Sequence, residues 1–185
     1  MSRSVRGVLF VDYVRMIRGQ KGIDWETYLA PEDLGWLLSR IDLDAWYPME
    51  VFERMGLAIL SEVAKGELEA VRMWGRFQVE SARRQFPQLV ADGDARSTLM
   101  RFRVLAAGFF DYDAVQVTDV DDGRAAVSIA YGMAPQAEAT ACHQSLGFFE
   151  RLVEVAGARD IAARFTAEAW KGAPRTLIEL VWSQD

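Results

Sequence analysis

The chain has 185 residues, 51% of them hydrophobic, and 27 acidic against 21 basic side chains give it a formal charge of −6. That length suits one domain with a real core, and the negative balance argues against general nucleic-acid or anionic-membrane binding, which need a local excess of Lys and Arg. One cysteine, Cys142, excludes an internal disulfide; one histidine, His143, excludes a multi-histidine metal site and would have to serve any Ser-His-Asp or Cys-His arrangement.

Val5, Val8, Leu9, Asp12, Met16 and Ile17 fall near helical spacing, with Gly19 and Gly22 closing the segment, and predict a first helix. Pro31-Glu32-Asp33 reads as the first turn of a short second helix through Leu34, Leu37 and Leu38, its acids suited to the positive end. A third runs over 48–66 with Phe52, Met55, Gly56, Ile59 and Val63 on one stripe. A fourth follows from Glu67 to Pro87, with Leu68, Val71, Gly75, Ala82 and Phe86 inward and Arg72, Arg76, Glu80, Arg83 and Arg84 on a solvated side. The short connection predicts that these two are antiparallel neighbours. Gly56 and Gly75 each cost about 1 kcal/mol inside a helix, which a close backbone approach would explain.

A fifth helix is expected over 95–107, after which the pattern turns to strands. Val115 and Val117 alternate with polar residues, as do Val127, Ile129 and Tyr131 with small ones, on either side of Asp121-Asp122-Gly123. A two-residue turn would pair Val117 with Ser128. A three-residue loop with Gly123 left-handed would pair Val117 with Val127 and Val115 with Ile129, keeping apolar faces together, and is the expected form. A sixth helix over 136–156 carries Cys142, Leu146, Phe149, Leu152 and Val153 on one face and stops at Gly157. Two strands close the chain, over 160–170 and 175–182. Leu177 and Val181 make the second face of the last strand apolar too, so it is expected inside the sheet or packed on both sides.

The run Ala141-Cys142-His143-Gln144-Ser145-Leu146-Gly147-Phe148-Phe149-Glu150, then Gly157 and a strand pair broken at Lys171-Gly172, resembles the 4-vinyl-reductase domain. Trp74-Gly75-Arg76 resembles the aromatic-Gly-Arg element of the same superfamily, and Trp46-Tyr47-Pro48 its Tyr-Pro ahead of a helix. That superfamily includes haem–nitric-oxide-binding domains and transport-particle subunits, and a set of myxobacterial paralogues of unknown function is similar. The resemblance implies one α/β (α+β) domain over 1–185, with N-terminal helices, then strand-strand-helix-strand-strand. A twisted antiparallel sheet would pack on helices, often dimerising, with an apolar pocket in some members. The chain also departs from its relatives. The stretch 95–110 lacks the proximal His of the haem domains, and of their Tyr-x-Ser-x-Arg propionate motif only Tyr131 is present. Residues 168–173 lack the cysteines frequent in the final hairpin of 4-vinyl-reductase domains. Neither haem nor any other cofactor is expected.

Cys142 and His143 are adjacent and point about 100° apart on a helix, so they cannot pair as nucleophile and base. Cys142 is expected in the core and His143 at the boundary. The acids at Asp111, Asp113, Asp119, Asp121 and Asp122 sit where turns favour Asp, and no metal site is expected there. The leading expectation is a non-enzymatic regulatory module acting through a protein partner or as a homodimer, in the cytoplasm, without nucleic-acid binding or membrane insertion. The alternatives are a sensor holding a small apolar ligand between sheet and helices, with pocket candidates Trp74, Tyr131, Cys142, Phe148 and Phe149, and an enzyme using a carboxylate of raised pKa in a cleft.

Overall fold

The computed structural model describes residues 3–184. The chain opens with β1 (Ser4–Arg6) and α1 (Gly7–Gly19), followed by α2 (Pro31–Leu38), β2 (Trp46–Pro48), α3 (Met49–Glu62), α4 (Leu68–Gln85) and α5 (Ala95–Ala106). Then come β3 (Val115–Thr118), β4 (Arg124–Ile129), α6 (Pro135–Val155), β5 (Arg159–Ala167) and β6 (Thr176–Ser183). The last four strands form one antiparallel sheet in the order β3-β4-β6-β5. Helix α6 packs on β5 and β6, and α3, α4 and α5 pack on α6, so α6 is the axis of the core. This is the helix-on-antiparallel-sheet architecture that the element order implied.

Val5 is not helical. It lies in β1, pairs with Tyr47 of β2 and bridges to Phe110. The chain turns from strand to helix at Gly7, where a Cβ would stand 1.9 Å from the Asp42 carbonyl oxygen, so no larger residue fits. At the other end of α3 the expected hairpin with α4 does not form. Lys65 and Gly66 both take positive φ (52° and 82°), and α4 then runs across α6 instead of lying along α3. The reason is a reciprocal notch: a Cβ on Gly75 would meet the Gln144 carbonyl oxygen at 1.9 Å, and one on Gly147 the Arg72 carbonyl oxygen at 1.9 Å. The two helices cross nearly backbone to backbone.

That crossing also relocates two arginines expected on the solvated face. Arg72 bonds Glu150 (2.9 Å) and Arg76 bonds Glu154 (2.6 Å), lacing α4 to α6 along the edge of the seam. Gly56 is a milder case: its absent Cβ would lie 3.1 Å from the Tyr13 ring, a side-chain contact and not a backbone crossing.

The β3–β4 register pairs Val115 with Ile129 and Val117 with Val127, as the apolar faces demand. The connection differs from the expected one. Asp121 N–H bonds the Arg124 carbonyl (2.8 Å) around a tight Asp122-Gly123 turn, and the left-handed residue is Asp119 (φ 49°), not Gly123. One extra residue before the turn therefore bulges and restores the pairing that a two-residue turn alone would shift. Strand β6 is interior to the sheet, with Ile178, Leu180 and Trp182 buried, but Leu177 and Val181 on its other face are exposed. The strand predicted over 160–170 ends at Ala167, and Trp170 sits in a short 3-10 turn at Ala169–Lys171.

Candidate functional site

A cavity of about 120 Å³ lies where α1, α4, α5 and α6 converge without filling the space between them. Its walls are aromatic. Phe102 of α5 meets Phe149 edge to face (centroids 4.9 Å) and Phe148 at 5.4 Å, and Phe110 lies 5.6 Å from Tyr131. Val8 and Leu9 of α1, and Ala82 and Phe86 in and beyond α4, complete the apolar lining.

A directed chain of polar groups borders the hollow. Tyr13 O–H donates to Gln144 Oε1 (2.7 Å), Gln144 Nε2 donates to Gln78 Oε1 (2.6 Å), and the Gln78 side chain bonds the Asp12 carboxylate. All four residues line the cavity. Burial raises the Asp12 pKa, opposed by nearby Arg15 and by the Gln78 bond. Burial and then the Asp12 charge push the Tyr13 phenol above its usual range, so Tyr13 is a neutral donor. Tyr131 O–H is 2.7 Å from Ser145 Oγ, which itself donates to the Ala141 carbonyl, so the phenol is the donor there; burial keeps it neutral as well.

Of the residues expected to form a pocket, Tyr131, Phe148 and Phe149 are together in this lining, whereas Trp74 and Cys142 are outside it. Trp74 packs 5.1 Å from the Tyr13 ring, one layer removed. Cys142 is fully buried towards Thr176 of β6, and burial pushes its thiol up to about 12. His143 faces Phe165 (5.0 Å) and Trp170 (5.9 Å), and burial, then Arg72, lower its pKa. Asp111 accepts the Ser4 N–H and Asp113 accepts the Gln116 side-chain amide; among the described residues no group of three or more candidate ligands is gathered to hold a metal. No helix among them is long and apolar enough to cross a membrane.

Sequence reasoning missed Asp12, Gln78 and Gln144 as site residues. One signal was present: Asp12 interrupts an apolar stripe, with Val8, Leu9 and Met16 one turn away on its face and Arg15 the one charged neighbour at that spacing. The glutamines gave none, being 66 residues apart and meeting only through the α4–α6 crossing.

No protein-family model and no curated protein matches the chain. Solved structures do. An H-NOX protein from S. oneidensis in its Fe(II) ligation state is 14% identical, with 97% of each chain covered and a TM-score of 0.67. A point mutant of the T. tengcongensis H-NOX is 12% identical over 97% of this chain and 98% of that one, at 0.64. An oxygen-binding H-NOX domain related to soluble guanylate cyclases, solved as its oxygen complex, is 14% identical over 97% and 95%, at 0.65. Helices and sheet therefore share the fold of H-NOX domains along nearly the whole chain. Haem is a property of that family, so its fit to these residues can be tested.

The fit fails on three counts. An engineered cavity of about 150 Å³ holds benzene, so 120 Å³ is far too little for a macrocycle. Haem iron takes His, Cys, Met or Tyr as its protein ligand; among the described residues the lining offers only Tyr13 and Tyr131, both neutral and hydrogen-bonded. The backbone amides of Tyr131 and Met133, beside the remnant of the propionate motif, are taken by Glu138, whose carboxylate accepts both (3.0 and 2.9 Å).

Proposed function

We propose that the 185 residues form one sensor domain that binds a small, largely apolar molecule in the aromatic cavity, without haem, and reports its presence to a protein partner or a second copy. The observation that carries this reading is the cavity itself: a benzene-sized hollow with convergent polar groups, in a fold whose solved examples include an H-NOX protein in its Fe(II)NO state and another in complex with oxygen. The ligand-sensing alternative thus moves ahead of the interaction module that composition favoured. An interaction surface remains part of the reading as its output, with exposed Phe77 and Met73 on α4 as its first candidates. A cytoplasmic location and nearness to the myxobacterial set are likewise parts of this reading, supported by the sequence pattern alone.

An enzyme is less well supported. Asp12 does have the raised pKa in a cleft that such a reading requires. A mechanism with a paired acid and base would need a second group near its working pH, and the other titratable groups in the lining are the phenols Tyr13 and Tyr131, both raised by burial and held neutral. Their geometry suits binding.

Thermal melting of the purified chain tests the proposal. Toluene should raise Tm progressively with the logarithm of its concentration above Kd, and haem titrated under the same conditions should give no saturable Soret change. Stoichiometric haem uptake, or no response to any benzene-sized aromatic, would refute it.

A further inference from the structure

We infer that the cavity selects a small organic cation, an ammonium group on an aromatic or short aliphatic body, with Asp12 as its counter-ion. The inference rests on the sensor reading above and names the chemistry of its ligand.

Three observations point the same way. Among the described residues, Asp12 is the one formally charged side chain in the lining, and no Lys or Arg accompanies it there. A cavity with one negative charge and no positive one repels carboxylates and phosphates and attracts ammonium groups. The remaining lining is rich in rings, Tyr13, Phe52, Phe86 and Phe148 among them. Their faces carry negative potential, which favours a cation and its apolar body alike. Finally, the hydrogen-bond chain is polarised towards Asp12: Tyr13 donates to Gln144, Gln144 to Gln78, and Gln78 to the carboxylate. The relay reaches Asp12 with the positive N–H end of Gln78, which favours the ionised carboxylate; a carboxylate has about four acceptor positions, so it can accept from a further donor.

The present ion partner of Asp12 is weak. Arg15 stands one turn further along α1 at 3.6 Å, with its side chain 63% exposed against 22% for Asp12. A pair with so exposed a partner contributes little, so an ammonium entering from the cavity side would meet a carboxylate that burial has partly dehydrated. Opposite charge would then hold that carboxylate ionised. The volume limits the body to about the size of benzene, which suits benzylamine, an ammonium at neutral pH.

Calorimetric titration of the full chain with benzylamine, benzyl alcohol and benzoate separates charge from shape. The inference expects affinity in that order. Asp12→Asn, which preserves the acceptor for Gln78, should weaken benzylamine about tenfold or more and leave benzyl alcohol within about twofold. Retained benzyl alcohol binding shows that the variant is folded, and the wild-type ranking stands without the variant. Benzyl alcohol binding as tightly as benzylamine to the wild type overturns the cation assignment while the cavity remains a site. Failure of all three probes and of toluene overturns the sensor reading and this inference together.

Discussion

Cys142 and Asp12 show how one physical variable, desolvation, leads to opposite roles. Both pKa values are raised by burial, but the thiol is neutral at physiological pH and packs against Thr176, whereas the carboxylate faces a hollow with amides aimed at it. The raised thiol pKa has a consequence for stability. The folded state holds the proton from the ordinary value of 9.0 up to about 12, while the unfolded chain releases it near 9. The folded state therefore binds more protons across that window, and stability falls as pH rises through it; below pH 9 the contribution is fully present. Urea denaturation of Cys142→Ala should accordingly show a shallower loss of stability between pH 9 and 12 than the wild type, and native Cys142 should react with thiol reagents only at the rate of unfolding. At this scale the sequence was partly legible. Cys142 on an apolar face could be read as core from its neighbours, and Asp12 stood visibly inside an apolar stripe. What that carboxylate faces was not legible, because its partners come from α4 and α6, far along the chain.

At the scale of elements, local patterns predicted local outcomes well. Helices α2, α5 and α6 lie within a residue or so of their expected spans, since caps and apolar stripes are local signals. The β3–β4 register followed from keeping apolar faces together, although a bulge at Asp119 accomplishes it and not a left-handed Gly123. Strands β1 and β2 escaped notice because three residues are too few for a period of two to show. The neighbour of α4 was misread for another reason: a short connection suggests adjacency with α3, but the Gly75–Gly147 notch is a long-range fit that spacing cannot reveal. Gly75→Ala should therefore destabilise by about 1–3 kcal/mol, since backbone of α6 must retreat. Gly35→Ala, with open space around its absent Cβ in α2, should stabilise by about 0.5–1 kcal/mol. Guanidinium unfolding of the two variants against wild type checks both signs, and equal effects would show that the crossing is looser than described.

For the whole molecule, the architecture is that of the H-NOX structures, and the interior does not fit haem. The hollow that persists is bounded by rings of Phe102, Phe148, Phe149 and Tyr131, and it is closed to a macrocycle by volume, by the lack of a free iron ligand and by Glu138 on the Tyr131 loop. Composition foreshadowed part of this, because the single histidine, His143, lies against Phe165 and Trp170 and not in the cavity lining. A pocket was expected only from the resemblance, between sheet and helices; that it lies among α1, α4, α5 and α6, with Tyr131, Phe148 and Phe149 in its lining, was not legible, since it arises from how four helices fail to fill space. A nuclear magnetic resonance titration of the full chain with toluene tests this account most directly. It predicts saturable shifts confined to the cavity lining, Phe102, Tyr131, Phe148 and Phe149 foremost, and their loss in Ala82→Leu, which fills part of the hollow. Shifts that do not saturate, that scatter over the surface, or that persist unchanged in Ala82→Leu would contradict it.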